Sequence, residues 1–216
     1  MEKNEIIEKL KELRENSKKR KFSQSIDFSI VLKDVNLKDP EQRIDEFYIL
    51  PNEPGKAVKI CALVDKDLST QAKEICDKVI LKDNFSEWDG KSREIKKLAD
   101  EHDYFIAQAT IMSDIAKTFG KFFGPKGKMP NPKSGAIVPP NKDLKPVVER
   151  LRKTVNVKAK KQPVLSARVG TEEMPDEKIA ENILYIYDNI SRKLPRNEQQ
   201  IKKKNIKFTM SKPVVL

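Results

Sequence analysis

Three short stretches of this 216-residue chain hold side chains able to do chemistry: Phe123–Pro140 (FGPKGKMPNPKSGAIVPP), Arg20–Ser25 (RKFSQS) and Lys202–Lys212 (KKKNIKFTMSK). Each sets lysine or arginine beside hydroxyl, amide, aromatic or thioether groups, and none contains an acid. RNA asks for these types. Cations neutralise phosphates and release counterions; hydroxyls and backbone N–H groups bond 2′-hydroxyls; an aromatic or methionine surface packs on ribose or base. The bland readings are a solvated lysine face and a plain sheet edge. In the first stretch Gly124, Pro125, Gly127, Pro130, Pro132 and Gly135 shape a stiff loop that Lys126, Lys128 and Lys133 keep cationic.

The charge is local. The chain carries +11 at pH 7, yet residues 117–161 hold 13 Lys/Arg against two acids and residues 191–216 hold eight against one. The remainder is therefore net negative. Two concentrated basic zones point to a polyanionic partner, nucleic acid before membrane.

Enzyme chemistry finds little material. His102 is the one histidine, so no Ser-His-Asp, Cys-His or multi-histidine metal site can be assembled. Cys61 and Cys76 fall on a buried strand and a helix and read as packing thiols of a reducing, cytoplasmic protein. GPKGKMPNPKSG lacks the order of a phosphate-binding loop and is expected between two helices, where that motif joins strand to helix. Asp65 and Asp67 stand at a strand's carboxyl end, able to hold Mg²⁺ but more often capping the next helix. Trp88 reads as packing. No cofactor is implied. No run approaches the roughly 20 apolar residues of a membrane span, the first 21 residues lack a leader's apolar core, and no strongly basic amphipathic helix carries aromatic anchors, so no membrane partner is expected.

The elements that must position these groups follow from periodicity. Ile6, Ile7, Leu10 and Leu13 predict a helix over 2–18, with SKKRK closing it. Phe22, Gln24, Ile26, Phe28 and Ile30 alternate with Ser23, Ser25, Asp27 and Ser29, which predicts a half-buried strand with a hydroxyl-lined face. After a loop over 33–43, IDEFYIL gives a second strand, and PNEPGK (51–56) breaks the pattern as a hinge. From Val58 to Val157 buried strands (AVKICALV, VIL, YFIAQA) alternate with helices at βαβ spacing, the last helix being NKDLKPVVERLRKTV. VKAKKQPVLSARVGT returns to strand texture and Ile179, Ile183, Ile186 and Ile190 mark a long helix. A terminal strand follows, with Ile206, Phe208 and Met210 on one side. The two ends share a texture that the middle lacks. The expected fold is a small parallel α/β, Rossmann-like domain (58–157) inserted into an α+β, split β-α-β domain built from 1–57 plus 158–216. Two crossings, near Pro51–Lys56 and Val157–Lys161, favour hinge motion.

RKFSQSIDFSI, GPKGKMPNPKSG and KFTMSKPV, at their places along the chain, resemble the family of large-subunit ribosomal proteins that builds the mobile lateral stalk beside the tRNA exit site, in its archaeal form. The resemblance covers essentially the whole chain. It implies a non-enzymatic component of the large ribosomal subunit, monomeric when free, that binds a stalk segment of 23S rRNA. It also implies a part in releasing exit-site tRNA and translational repression through a similar structure on its own operon mRNA. The implied RNA contacts are Lys21, Phe22 and Ser25 of the first strand, Ser166 and Arg168 in LSARVGT, and Lys203, Thr209, Met210 and Ser211 of the last strand. Lys126, Lys128 and Lys133 add weaker RNA contacts near the domain cleft, or brace the domains. Ser211 departs from the family's glycine. If the backbone there needs φ > 0, serine costs about 1 kcal/mol or more; if it needs only room, serine weakens RNA packing. The competing reading is a nucleotide- or Mg-dependent enzyme using the α/β domain.

Overall fold

A computed structural model describes residues 1–35, 44–159, 162–195 and 197–216. Most of the loop expected over 33–43, and Lys160 and Lys161 of the second crossing, lie outside the described residues. In chain order the elements are α1 (Lys3–Glu15), β1 (Ser25–Leu32), β2 (Ile44–Ile49), β3 (Ile60–Val64), α2 (Lys66–Ile75), β4 (Lys78–Leu81), α3 (Phe85–Trp88), α4 (Ser92–Glu101) and β5 (Tyr104–Gln108). They continue as α5 (Met112–Lys126), β6 (Ile137–Val138), α6 (Lys145–Lys153), β7 (Thr154–Ala159), β8 (Val164–Thr171), α7 (Asp176–Lys193), β9 (Ile201–Phe208) and β10 (Val214–Val215). Two units result, Met1–Lys56 with Lys153–Leu216, and Ala57–Arg152.

In the unit made of both termini, an antiparallel sheet runs in the order β10-β9-β1-β8. The period of two in β1 sends Ile26, Phe28, Ile30 and Leu32 into a core shared with Ile6, Leu10 and Leu13 of α1 and Ile179, Ile183, Ile186 and Ile190 of α7. Both helices therefore cover one face. Gly170 allows the close approach of α7, because a Cβ there would stand 2.9 Å from Ile179 Cγ1. Asn182, fully buried in α7, donates to Asn52 O (3.1 Å) and Val169 O (2.8 Å) and accepts from Asn52 N–H (3.0 Å). It joins the segment after β2 to the sheet with every bond made inside the protein.

The second sheet of this unit pairs β2 with β7, Ile49 opposite Thr154. Residues 154–157 thus belong with the termini, and the expected boundary at 157/158 falls inside a strand. The helix ends earlier than its apolar spacing suggested because Thr154, Val155 and Val157 are β-branched and find a partner strand.

The inserted unit has a parallel sheet in the order β4-β3-β5-β6. All five residues of β3 are buried, since helices cover both faces. On one side Phe85, Ile95, Phe119 and Phe123 pack with Phe105; on the other Leu68, Ala72, Val148 and Leu151 pack with Ile106. The glycine-proline stretch joins α5 to β6, not helix to helix as expected. Its first residues continue α5 through Pro125 to Lys126. Gly127, at φ 66°, ends the helix, with Gly127 N–H bonding Gly124 O and Lys128 N–H bonding Phe123 O.

Candidate nucleic-acid interface

Residues of β1 that alternate with the core face the other way and share a surface with their cross-strand neighbours. One row reads Ser166–Ser29–Asn205, the next Arg168–Asp27–Lys207, and a third Val164–Val31–Lys203. Hydroxyl, amide and cationic groups thus line the sheet face opposite α1 and α7. Burial holds the Asp27 carboxyl above its usual value, more than Lys207 and Arg168 offset.

At one end of this face the chain termini meet. Phe208 to Ser211 form a tight turn closed by Ser211 N–H to Phe208 O (3.2 Å), with Thr209 and Met210 at its corners. Thr209 bonds Ser25 O twice, through N–H at 3.1 Å and Oγ1 at 3.3 Å. Met210 N–H donates to Gln24 Oε1 at 3.3 Å. Gln24, 2% exposed, has its carbonyl held by Glu172 N–H (2.8 Å). Beside these, Phe22 is 53% and Met210 60% exposed, large apolar side chains held out to solvent. Lys19, Arg20 and Lys21 with Phe22 border a hollow of about 270 Å³ that Glu172 and Glu173 close. An apolar ledge, hydroxyls and a cation cluster are therefore within one patch, and the arrangement suits a sugar–base surface with phosphates around it.

Residues 13–212 match the Ribosomal protein L1p/L10e family. The chain is 42% identical to the large ribosomal subunit protein uL1 of Methanothermococcus thermolithotrophicus, over 99% of this chain and 98% of that one. It is 42% identical to the uL1 of Methanothermobacter thermautotrophicus (98% and 97% covered) and 41% to that of Pyrococcus abyssi (97% and 94%). The chain belongs to the L1p/L10e family. As a member it is a structural ribosomal protein of the large subunit and not an enzyme, and these three relatives are archaeal.

The residues singled out in this L1-family chain are only partly gathered. Phe22, Ser25, Thr209, Met210 and Ser211 come together around Gln24, with Lys21 beside Phe22 on the rim of the hollow. Ser166 and Arg168 follow along the face on β8. Lys203 lies opposite Val31, six residues along β1 from Ser25, about 20 Å away at strand rise. Phe22 precedes β1 and is exposed, so the alternation extrapolated from Ile26 does not reach it. Met210 likewise lies beyond β9 and does not share the buried side of Ile206 and Phe208. Lys18 to Lys21 follow α1, which ends at Glu15, and so lead into the patch instead of closing the helix.

Ser211 and the basic loop have partners within the protein. Among described residues, positive φ outside glycine occurs only at Asp34 and Asn197, so Ser211 carries no left-handed strain. Lys126 and Lys128 bond within the inserted unit, Lys126 at the exposed surface and Lys128 partly buried. Lys128 Nζ donates to Ala99 O and His102 O, both at 2.7 Å, and Lys126 Nζ donates to Lys96 O and the Asp100 carboxylate. They tie down the carboxyl end of α4, where carbonyls lack helical partners and the dipole favours cations. Asn131 Oδ1 accepts the backbone N–H of Lys133 at 2.9 Å, which shapes the turn before Gly135.

At the carboxyl ends of β3 and β5, where open α/β sheets hold ligands, the buried Gln108 accepts Asp65 N–H at 2.8 Å. Asp65 also caps α2 through Lys66 N–H. Burial pushes the Cys61 thiol up to about 12 and the Cys76 thiol to about 11, as packing residues require. Sequence reasoning missed Gln24 and Arg14 as parts of the site. Arg14 donates to Glu172 O (2.6 Å), Met174 O (3.0 Å) and Asp176 Oδ1 (2.8 Å), fixing the β8–α7 turn that holds Gln24. An arginine in the last turn of an amphipathic helix looks in sequence like a dipole partner and nothing more.

Proposed function

We propose that this protein binds a folded stalk segment of 23S rRNA through the uncovered face of the β10-β9-β1-β8 sheet. The observation that carries the reading is the end of that sheet. There Phe22 and Met210 project into solvent beside the Thr209 hydroxyl and the Lys19–Lys21 cluster, although nothing in the core requires large apolar groups outside. The apolar ledge packs on ribose or base, the hydroxyls and Ser166 meet 2′-hydroxyls, and Arg168, Lys203 and Lys207 hold phosphates further along. The same surface takes a similar structure in the chain's own operon mRNA, so rRNA and mRNA compete and the free protein acts as a translational repressor. On the subunit it takes part in releasing exit-site tRNA; free, it is a monomer. These last roles rest on the family resemblance.

The test is a gel shift of the full chain against the stalk rRNA segment across a salt series. Each engaged phosphate adds about 0.7–0.9 to the negative slope of log affinity against log salt. Thr209→Val removes the hydroxyl at constant volume and weakens binding by roughly 1–3 kcal/mol, the cost of a lost or unpaired hydrogen bond. A shallow slope, or unchanged affinity in a folded Thr209→Val protein, defeats the assignment.

A further inference from the structure

We infer that Ser211 is a positioning residue that locks the Thr209–Met210 turn in its binding shape before RNA arrives. The inference rests on the RNA-binding reading above and deepens it. The Ser211 hydroxyl accepts Phe208 N–H at 2.9 Å while Ser211 N–H bonds Phe208 O at 3.2 Å, so residues 208 and 211 are joined in both directions. The same hydroxyl donates its one proton to Lys212 O at 3.0 Å. A hydroxyl has one proton and two lone pairs. The proton and one lone pair of Ser211 are thus spent inside the protein, and it has no hydrogen to offer a ligand.

Phe208 N–H needs that acceptor. It lies at the end of β9, past the short pairing of β10, which reaches only Ile206 and Asn205. Successive N–H groups of a strand point to opposite sides, and the next, from Thr209, already goes to Ser25 O on β1. Ser211 takes the place of the missing partner on the β10 side. The turn is then held on one flank by Ser25 and Gln24 and on the other by Ser211, with its two exposed corners free for contact. A turn held on one flank only populates other shapes, and apparent affinity falls by the fraction of competent molecules.

Hydrogen exchange of the free protein and RNA-association kinetics, measured on Ser211→Ala, Ser211→Gly and Ser211→Thr, separate this from a contact role. The expected result is loss of Phe208 amide protection in the alanine and glycine variants. The same two variants lose about three- to tenfold in RNA affinity, carried by a slower association rate, as one net hydrogen bond would give. Ser211→Thr, which keeps the hydroxyl, retains both. Unchanged Phe208 protection in Ser211→Ala overturns the lock, whatever happens to binding. Lost protection with unchanged affinity overturns its link to RNA. Absence of RNA binding by the unaltered chain is a different failure, that of the parent reading, and leaves the exchange result standing as a test of the turn.

Discussion

Replacing Lys128 with methionine keeps most of the unbranched side chain, one heavy atom shorter, and removes its charge and donors. Lys128 Nζ stands 2.7 Å from both Ala99 O and His102 O at the end of α4. Hydrogen bonds from a charged donor contribute about 1.5 kcal/mol each at the low end. Against this, burial lowers the lysine pKa below its ordinary 10.5 despite the attraction of Asp103 and Asp100, so part of the gain offsets desolvation. A net loss of about 1–2 kcal/mol is expected for Lys128→Met, with two carbonyls left unpaired. Trp88, the one tryptophan, packs 6.1 Å from Phe119 in the same unit and reports its unfolding. At an ordinary dependence on urea the midpoint by Trp88 fluorescence falls by about 0.5–1 M. The sign with pH is also fixed. The unfolded chain holds the lysine proton more tightly, so the unaltered protein gains stability as pH rises from the depressed pKa towards 10.5, and the neutral amine still has hydrogens for both carbonyls. Lys128→Met lacks that rise. RNA affinity and its salt slope stay unchanged. The reasoning is refuted by the reverse pattern, an unmoved urea midpoint with weakened, less salt-dependent RNA binding.

Three further outcomes are expected. Asn182→Ala lowers stability by about 2–4 kcal/mol in urea or thermal unfolding, since Asn52 N–H, Asn52 O and Val169 O lose their buried partner. Asp27→Asn raises stability at neutral pH: the folded carboxyl pKa is above 3.8, so the unaltered chain loses stability as pH rises from about 3.8 through the folded value, and the two proteins converge in acid. A thiol reagent at pH 8 labels Cys61 and Cys76 only slowly in the folded protein, Cys61 the slower, and both promptly in urea; fast native labelling of Cys61 contradicts its burial and raised pKa.

Most elements are legible in the sequence because periodicity is local. The spacing of Ile179, Ile183, Ile186 and Ile190, or the alternation from Gln24 to Ile30, needs no knowledge of what lies opposite. The insertion of one texture inside another is legible for the same reason, as is the confinement of charge to two zones. β6 escapes because two residues carry no period, and the helix–strand change at Lys153–Thr154 escapes because β-branching decides it only once β2 is alongside.

Residue types therefore set which chemistry this chain can do, and their spacing sets which helices and strands carry it. Only the tertiary structure decided which of those groups lie together and which are bonded within the protein. Thr209 meets Ser25 across 184 positions, a pairing fixed by the register of three strands. Lys126 and Lys128 read as a cationic loop until the end of α4, some 30 residues earlier, supplies acceptors for both ammonium groups. Ser211 could cost left-handed strain for all the sequence tells; its φ removes that cost, and the fold brings its hydroxyl to Phe208 N–H. Polar groups are satisfied by neighbours in space, and a sequence orders only neighbours along the chain.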